Sequence, residues 1–576
     1  KVLYRNDKIS YRQIMKKYDP LLILVFILSI YILFSNQRIT TSMDVDVLRY
    51  ASNWIETGSM GSEQKLSAGV AYSPKTGLFY AMEGLGIIAP LAFFIKASNT
   101  FSSDSNFIMY IFNQFFAALA SMFIFLIFRL FLSARKSFFY TALFALGTPL
   151  FVHSKYLLPE PVTLLCISMS FYYLLRFRSQ KVPVYMFFSG LSTGYTLLTR
   201  PDAPIFAVLF SLLTAYTVYR IAGKDTVRSL VFYSAGFLIF AVLFAFTNYN
   251  RYGSFMESGY TLDRNEVKSS LEKSLPETYR KFESAARLVE REDPTDENYK
   301  EALRYYNSFQ SQQKFLEETN KVLSEYGDKN TAFYTNGPLN FINGVYLILF
   351  APNRSIFFLS PFMIILLISL RSFFRRFRTE LILTGSIIAG YIVLYALRAP
   401  LSYAGSAAWG VRYLLPVYPV LFLSVIFYER SEFSRKTAVR RTFYGLCIIS
   451  VLFQLTGSGV NYQSVQMPLE YKAKQVYGTS DMTWAHESRK SMMTDFSSSL
   501  LINNIRIMTG NMTPEQKAYG VEGGPNDWFF WQVLKGKGRL VEGKDTGSFK
   551  ALLFLILISV AGSAYLLYRS TSAENK

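Results

Sequence analysis

The sequence predicts an all-α polytopic membrane protein: a transmembrane helix bundle of about 12 spans, with its longer loop segments on one side. Three observations carry that prediction. Apolar residues make up 51% of the 576-residue chain and charged residues only 17%, where a soluble domain carries about 25% charged. The apolar residues are gathered in blocks long enough to cross a bilayer. The basic residues fall in alternate connections between those blocks. A soluble globular enzyme, a disordered chain and a secreted disulfide scaffold are excluded. Cys166 and Cys447 both lie in apolar runs and read as small hydrophobes. With His153 and His486 as the only histidines, chemistry built on a histidine-rich metal centre is not expected.

The first run, Leu21 to Ser35, follows Lys1, Arg5, Lys8, Arg12, Lys16 and Lys17. No small-residue cleavage site follows it, so it reads as an anchor, with a short start expected to be missing before Lys1. Further spans are expected near 106–130, 137–153, 161–176, 183–199, 203–219, 229–247, 355–370, 379–397, 413–428, 441–457 and 549–568. The run at 84–95 is short and reads as interfacial or re-entrant. The expected organisation is a cytoplasmic N-terminus (1–19) and a membrane core (20–247) whose first outer loop (36–105) carries the catalytic acids. An outer helical insertion (248–354) and a second membrane group (355–457) follow. An outer C-terminal segment (458–548) and a last span with a cytoplasmic tail (549–576) complete the chain.

Orientation tests this count. The two termini and the connections around Arg129, Arg178, Arg220, Arg375 and Arg435 hold 26 basic and 7 acidic residues, a net of +19 that accounts for nearly all of the chain's +20. This is the positive-inside pattern, and it predicts a multi-pass protein of the plasma (inner) membrane with both termini cytoplasmic. Counting 84–95 as a full span would scatter the clusters between the two sides. The basic balance is therefore topological, and no nucleic-acid partner is implied. The opposite face carries the long segments and is where the protein is expected to work.

The first outer loop holds Asp44 and Asp46 ahead of Val47, Tyr50, Ala51, Trp54 and Ile55, the spacing of an amphipathic helix lying on the membrane and stopping at Gly58. Helix capping is the plain reading of such a pair, with Asp46 as the cap and Asp44 left free. In an extended segment the two would instead point the same way and could share a divalent cation such as Mg or Mn. Tyr72-Ser-Pro-Lys75 follows; its lysine could hold a phosphate as a point charge or snorkel toward headgroups. Glu160 opens a span between Pro159 and Pro161, a depth at which a carboxylate needs a partner such as Lys155 or Arg200. Arg200 sits at an outer helix end against the positive-inside bias, with Asp202 as a local partner. The link 398–412 brings Trp409 and Arg412 to the same face. A carboxylate base beside phosphate-binding cations is what transfer from a phosphate-linked donor requires. The aromatics of Asn526-Asp-Trp-Phe-Phe-Trp531 read as core or as a sugar platform. No glycine-rich nucleotide loop is present.

The order of these motifs resembles the GT-C glycosyltransferases, in particular the branch related to protein O-mannosyltransferases and aminoarabinose transferases. The resemblance rests on Asp44-Val-Asp46 running to Gly58, Glu160-Pro161, Gly194-Tyr-Thr-Leu-Leu-Thr-Arg-Pro201, and Trp409-Gly-Val-Arg-Tyr-Leu-Leu-Pro416 with Pro419. Tyr249-Asn-Arg-Tyr-Gly253 and Leu349 to Pro361 look like stretches of prokaryotic proteins of this group. The likeness spans residues 20 to about 430 and leaves out 262–335 and 458–547. It implies a GT-C-like bundle and an inverting transfer from a polyprenyl-phosphate sugar, drawn from the membrane lipid, to a protein, lipid or glycan acceptor. Asp44 would be the base, with Asp46 as second choice. Lys75, Arg200 and Arg412 would bind the donor phosphate, and Glu160, Tyr72 and Trp409 would contact substrate. The family often has Asp-Glu where this chain has Asp-Val-Asp, which leaves open which acid aligns.

Two other classes compete. A transporter or lipid flippase predicts ionisable residues at mid-membrane and related halves, whereas the spans here are nearly free of charge at their centres. A non-catalytic assembly subunit would tolerate loss of Asp44, Arg200 and Arg412.

Overall fold

The computed structural model describes residues 2–35, 42–64, 66, 70–101, 110–257, 337–352, 354–374, 377–397, 409–461, 464–465, 468, 499–518, 521–536 and 546–572. The insertion expected to be helical at 262–335, the start of the link at 398–412 and His486 lie outside them.

The helices before residue 258 are α1 (Val2–Leu33), α2 (Ser42–Thr57), α3 (Leu85–Phe101), α4 (Phe112–Arg129), α5 (Ala134–Leu146), α6 (Leu150–His153), α7 (Glu160–Gln180), α8 (Val184–Thr199), α9 (Ala203–Ala222) and α10 (Thr226–Tyr252). After residue 336 come α11 (Gly337–Leu349), α12 (Ile356–Leu359), α13 (Phe362–Ser369), α14 (Arg378–Leu397), a 3₁₀ turn (Arg412–Val417), α15 (Tyr418–Phe422), α16 (Ser424–Arg430) and α17 (Thr437–Gly459). The described chain ends in α18 (Leu500–Thr509), α19 (Pro514–Ala518), α20 (Phe529–Lys535) and α21 (Thr546–Ser572). Among the described residues the only sheet is a hairpin of β1 (Val70–Tyr72) and β2 (Phe79–Ala81), paired antiparallel with Val70 opposite Ala81.

Each apolar run read from the sequence falls on a helix or on consecutive helical pieces. Among the described residues six stretches are long and apolar enough to cross a membrane: Phe112–Arg129, Ala203–Tyr252 (two helices), Arg378–Leu397, Arg412–Arg430, Thr437–Gly459 and Gly547–Ser570. The chain is thus a multi-pass membrane protein whose described part is almost wholly helical. The short run at 84–95 forms the 17-residue α3, longer than its apolar core because Lys96 to Thr100 continue the helix. The apolar α11, packed on α14, falls at the end of the stretch read as an outer insertion.

Two packing devices position the site. Helices α8 and α10 touch along their backbones: a Cβ on Gly190 would stand 2.0 Å from the Tyr233 carbonyl oxygen, and one on Gly236 would stand 2.1 Å from that of Phe187. In a membrane, where burial of apolar surface gives helices little reason to associate, such small-residue contact is what lets them pack closely. The start of α3 is pressed onto the end of α8 in the same way, with Gly84 2.0 Å from the Leu198 carbonyl oxygen by that measure. The largest apolar core lies among α1, α4, α5, α7, α9 and α13–α17. A smaller one joins α2, α3 and the hairpin beside it.

Candidate functional site

Charged side chains converge where the start of α7, the end of α8, α2, the start of α3 and the Arg412 turn meet. Local sequence explains how each arrives. Glu160 opens α7 between two prolines, and a helix N-terminus favours both a proline in its first turn and a negative charge. Arg200 precedes Pro201, which forces it out of the helix into extended backbone (φ −149°, ψ 146°) and turns its side chain toward α7. Its Nη1 donates to Glu160 Oε1 at 2.6 Å, its Nε to Asp202 Oδ1 at 2.8 Å and its Nη2 to Asp202 Oδ2 at 3.0 Å. Tyr395 from α14 donates to the same Asp202 oxygen at 2.5 Å. Arg412 Nε lies 3.2 Å from Glu160 Oε1, and the Tyr413 ring stacks on Tyr395 between the two guanidinium groups. All four charged groups are buried. Glu160 therefore pairs with Arg200, as its depth required, and with Arg412 as well.

Lys155 does not share that role. Its ammonium caps the end of α17, donating to the carbonyls of Gly457, Ser458 and Val460 at 3.2, 3.0 and 3.0 Å, and pairs with Asp527 at 2.8 Å. It thereby ties the segment carrying Trp528 to the bundle.

Neither acid of the first loop takes the role expected from the sequence. Helix α2 begins at Ser42, so Asp44 stands in its first turn and Asp46 inside its second. Asp44 Oδ1 accepts the Leu157 backbone N–H at 2.8 Å and anchors the loop leading to Glu160. Asp46 is not the cap: it is buried, and its Oδ1 has no hydrogen-bond partner. Because α2 is helical through both, their side chains point about 200° apart around its axis. The extended arrangement in which the pair shares a divalent cation does not apply. Among the described residues no group of three or more His, Cys, Asp or Glu side chains is placed to hold a metal ion.

Two members of the site were not singled out in the sequence. Glu83 precedes the Gly84 contact, is 4% exposed, and has an Oε2 without a hydrogen-bond partner. Burial pushes its carboxyl up to about 8; its own backbone N–H opposes this, the charges of Asp46 and Glu160 add to it, and Arg412 opposes it. Glu83 therefore links the Asp46 side of the site to the Glu160 side. Arg251 ends α10 just before Gly253, whose φ of +83° closes the helix. It is buried, its Nε lacks a hydrogen-bond partner, and its neighbours are Met60 Sδ at 3.1 Å and the Tyr80 ring at 5.5 Å. Among the described residues it has no carboxylate partner. The hairpin is fastened to this corner by Ser73 donating to the Arg251 carbonyl and by Lys75 donating to the Tyr249 carbonyl at 2.5 Å. Tyr252 is near enough to Glu83, and Tyr50 to both Asp46 and Tyr252, to feel their charges. The signal for Arg251 was available: like Arg200, it is an arginine at a helix end opposite the basic connections.

The remaining residues are placed as follows. Lys75 is exposed and lies 4.0 Å from the Tyr249 ring. Tyr72 is half-buried against Phe79. Trp409 does not present its ring to a substrate: it is buried, donates its indole N–H to Gln454 Oε1 at 2.9 Å, and its carbonyl lies 2.7 Å from His153 Nε2. In the C-terminal aromatic stretch Phe529 is core, and Trp528 donates to Ser458 Oγ at 3.0 Å.

Glu83 gives a first testable consequence. Between about pH 4.5 and 8 the folded chain keeps a proton on Glu83 that the unfolded chain releases. The stability this group contributes is complete below about 4.5 and is lost as pH rises through about 8. Thermal melts of the detergent-solubilised protein should show wild type falling relative to Glu83→Gln across that window. Parallel curves would show that Glu83 is not protonated in the folded state.

Fold and site together define a polytopic helical membrane protein with a buried cluster of acids and arginines at one end of its bundle. The family model described as dolichyl-phosphate-mannose-protein mannosyltransferase matches residues 89–249, from within α3 to the last turn of α10, and takes in Glu160 and Arg200. Among solved structures, the archaeal oligosaccharyltransferase AglB from Archaeoglobus fulgidus, in complex with an inhibitory peptide and a dolichol-phosphate, aligns with a TM-score of 0.41 and 12% identity. The alignment covers 93% of this chain and 60% of AglB, so the chain spans about three fifths of that protein. No curated protein matches the chain.

Proposed function

We propose that this protein is a membrane glycosyltransferase that moves a sugar from a polyprenyl-phosphate-linked donor to a protein, lipid or glycan acceptor at the extracytoplasmic face, with inversion. The charge alternation of the connections supports the plasma (inner) membrane as its location, with both termini cytoplasmic. The observation that carries the reading is a buried Asp46 oxygen without a hydrogen-bond partner, which shares its electrostatic surroundings with Glu83, next to a corner holding Arg251, a buried cation that has no carboxylate partner among the described residues. The mannosyltransferase match over residues 89–249 supports the same reaction class.

In this reading Asp46 takes the proton of the acceptor hydroxyl or amine as that atom bonds to the anomeric carbon. The bond from that carbon to the phosphate oxygen breaks, and polyprenyl phosphate leaves. Arg251 and Lys75 balance the phosphate charge, and Tyr72 borders the same corner. Arg200 and Arg412 are engaged with Glu160 and Asp202, so they hold the framework rather than the donor. Asp44 positions the 154–160 loop. Asp44 and Asp46 do not fit one divalent cation, and no step is routed through a metal.

The test is transfer from a polyprenyl-phosphate sugar by the purified full chain. A charge-assisted contact to phosphate contributes about 1.5–3 kcal/mol. Arg251→Gln should therefore raise the KM for the donor roughly 10- to 150-fold while the protein stays folded. An unchanged donor KM would remove Arg251 from the phosphate site.

A further inference from the structure

A second feature lies at the other end of the bundle. A cavity of about 270 Å³ opens between α7, α9, α14 and the α15–α16 segment, with Phe171, Leu174, Leu213, Ile388 and Leu421 on its walls. Arg178 and Arg430 stand at its mouth, both exposed. Arg430 leans over the Phe131 ring at 5.5 Å, and among the described residues neither arginine forms an ion pair. Glu380 also lines the cavity and acts on Arg220 and Tyr216.

This cavity is separate from the site described above. Arg178 follows Glu160 by 18 residues on one helix, which places it about 27 Å away along the axis at 1.5 Å per residue. The chain from Arg412 to Arg430 runs in the same way, from the acid cluster at one end to the cavity mouth at the other.

The walls are mostly apolar, with Thr217, Thr384 and Ser424 among them, and a buried water needs two to four polar partners. A space of this character suits hydrocarbon better than water. Two guanidinium groups at its rim call for phosphate oxygens, which they bind with charge-assisted, bidentate geometry. Basic pockets between helices on the cytoplasmic side are suited to anionic head groups.

We propose that this groove holds one acyl chain of an anionic phospholipid, with its phosphate on Arg178 and Arg430. The assignment to the cytoplasmic leaflet rests on the topology given above; the lipid site does not. On the function proposed above, a polyprenyl-phosphate donor places its phosphate at the opposite end of α7 and is not the expected occupant. The bound chain bridges α7, α9, α14 and α16.

Gly385 lines the cavity on α14, and a Cβ there would meet no atom within 4 Å. Gly385→Leu therefore adds bulk to the cavity wall at a position open at Cβ, and leucine favours a helix over glycine. The test is native mass spectrometry of the full chain in detergent, titrated with phosphatidylglycerol, phosphatidylcholine and a polyprenyl phosphate. Wild type should retain one phosphatidylglycerol in preference to the other two. Gly385→Leu and the double variant Arg178→Ala/Arg430→Ala should each lower that retention at least tenfold. Equal retention of phosphatidylcholine, preferential retention of polyprenyl phosphate, or full retention by Gly385→Leu would each overturn the proposal.

Discussion

Asp46→Asn is expected to lower the turnover of sugar transfer by about 10²–10⁴-fold, the usual contribution of a positioned general base, with little change in the donor KM. Asparagine keeps the size of the side chain but cannot take a proton. The neighbouring acid supplies the control. Asp44 accepts the Leu157 N–H, and the amide oxygen of an asparagine can accept that bond equally well, so Asp44→Asn should keep most of the activity. Asp44→Ala leaves that buried N–H unsatisfied, at a cost of about 1–3 kcal/mol of stability. A ranking in which Asp44→Asn is the inactive variant would return the base to the residue favoured by sequence reading. Kinetics with a fixed donor and acceptor distinguish the two.

Removing Lys155 should have the largest effect on stability. Its ammonium and the Asp527 carboxylate are almost wholly buried, with side-chain exposures of 1% and 0%. Lys155→Met removes the buried ion pair with Asp527 and uncaps three carbonyls at the end of α17. Breaking a buried pair from one side costs about 3–5 kcal/mol. Asp527→Leu removes the same ion pair but leaves the lysine its three carbonyl acceptors, so it should cost less than Lys155→Met. The double variant Lys155→Met/Asp527→Leu should lose clearly less than the sum of the two, because no charge is left unpaired. Melting temperatures in detergent read all three. Additive losses would show that the pair is not coupled and that Lys155 acts through its carbonyl contacts alone.

Much of the fold was legible because bilayer physics writes directly into sequence. Apolar blocks of fixed length and basic connections on one side need no knowledge of tertiary contacts, and the predicted runs, where they are described, fall on helices or on consecutive helical pieces. The Glu160–Arg200 pair was also accessible, since a carboxylate at the mouth of a span must be neutralised by something within reach. What sequence could not supply was the rotation of side chains about helix axes. The apolar pattern of α2 begins at Val47, which suggested a start there and made Asp46 the cap. The helix begins at Ser42, which places Asp44 in the first turn, where a helix N-terminus favours an acid. Trp409 looked available because it sits in a link rich in small residues. Gln454, a polar residue within a predicted span, is the partner that draws the indole inward. Glu83 carries no local motif, and Arg251 lies in the Tyr249–Gly253 stretch without being singled out there. Their importance comes from burial, which glycine contacts and the hairpin impose from segments far away in the chain.

The central claim is that the acid cluster and Arg251 form a site where a sugar leaves a lipid phosphate. The most direct measurement reconstitutes the purified full chain in liposomes with a radiolabelled polyprenyl-phosphate sugar and an acceptor, and follows free polyprenyl phosphate and labelled acceptor together. The account predicts that both appear in equal amounts with wild type and that both disappear with Asp46→Asn. Equal rates from wild type and Asp46→Asn, or movement of intact donor across the bilayer without cleavage, would contradict it.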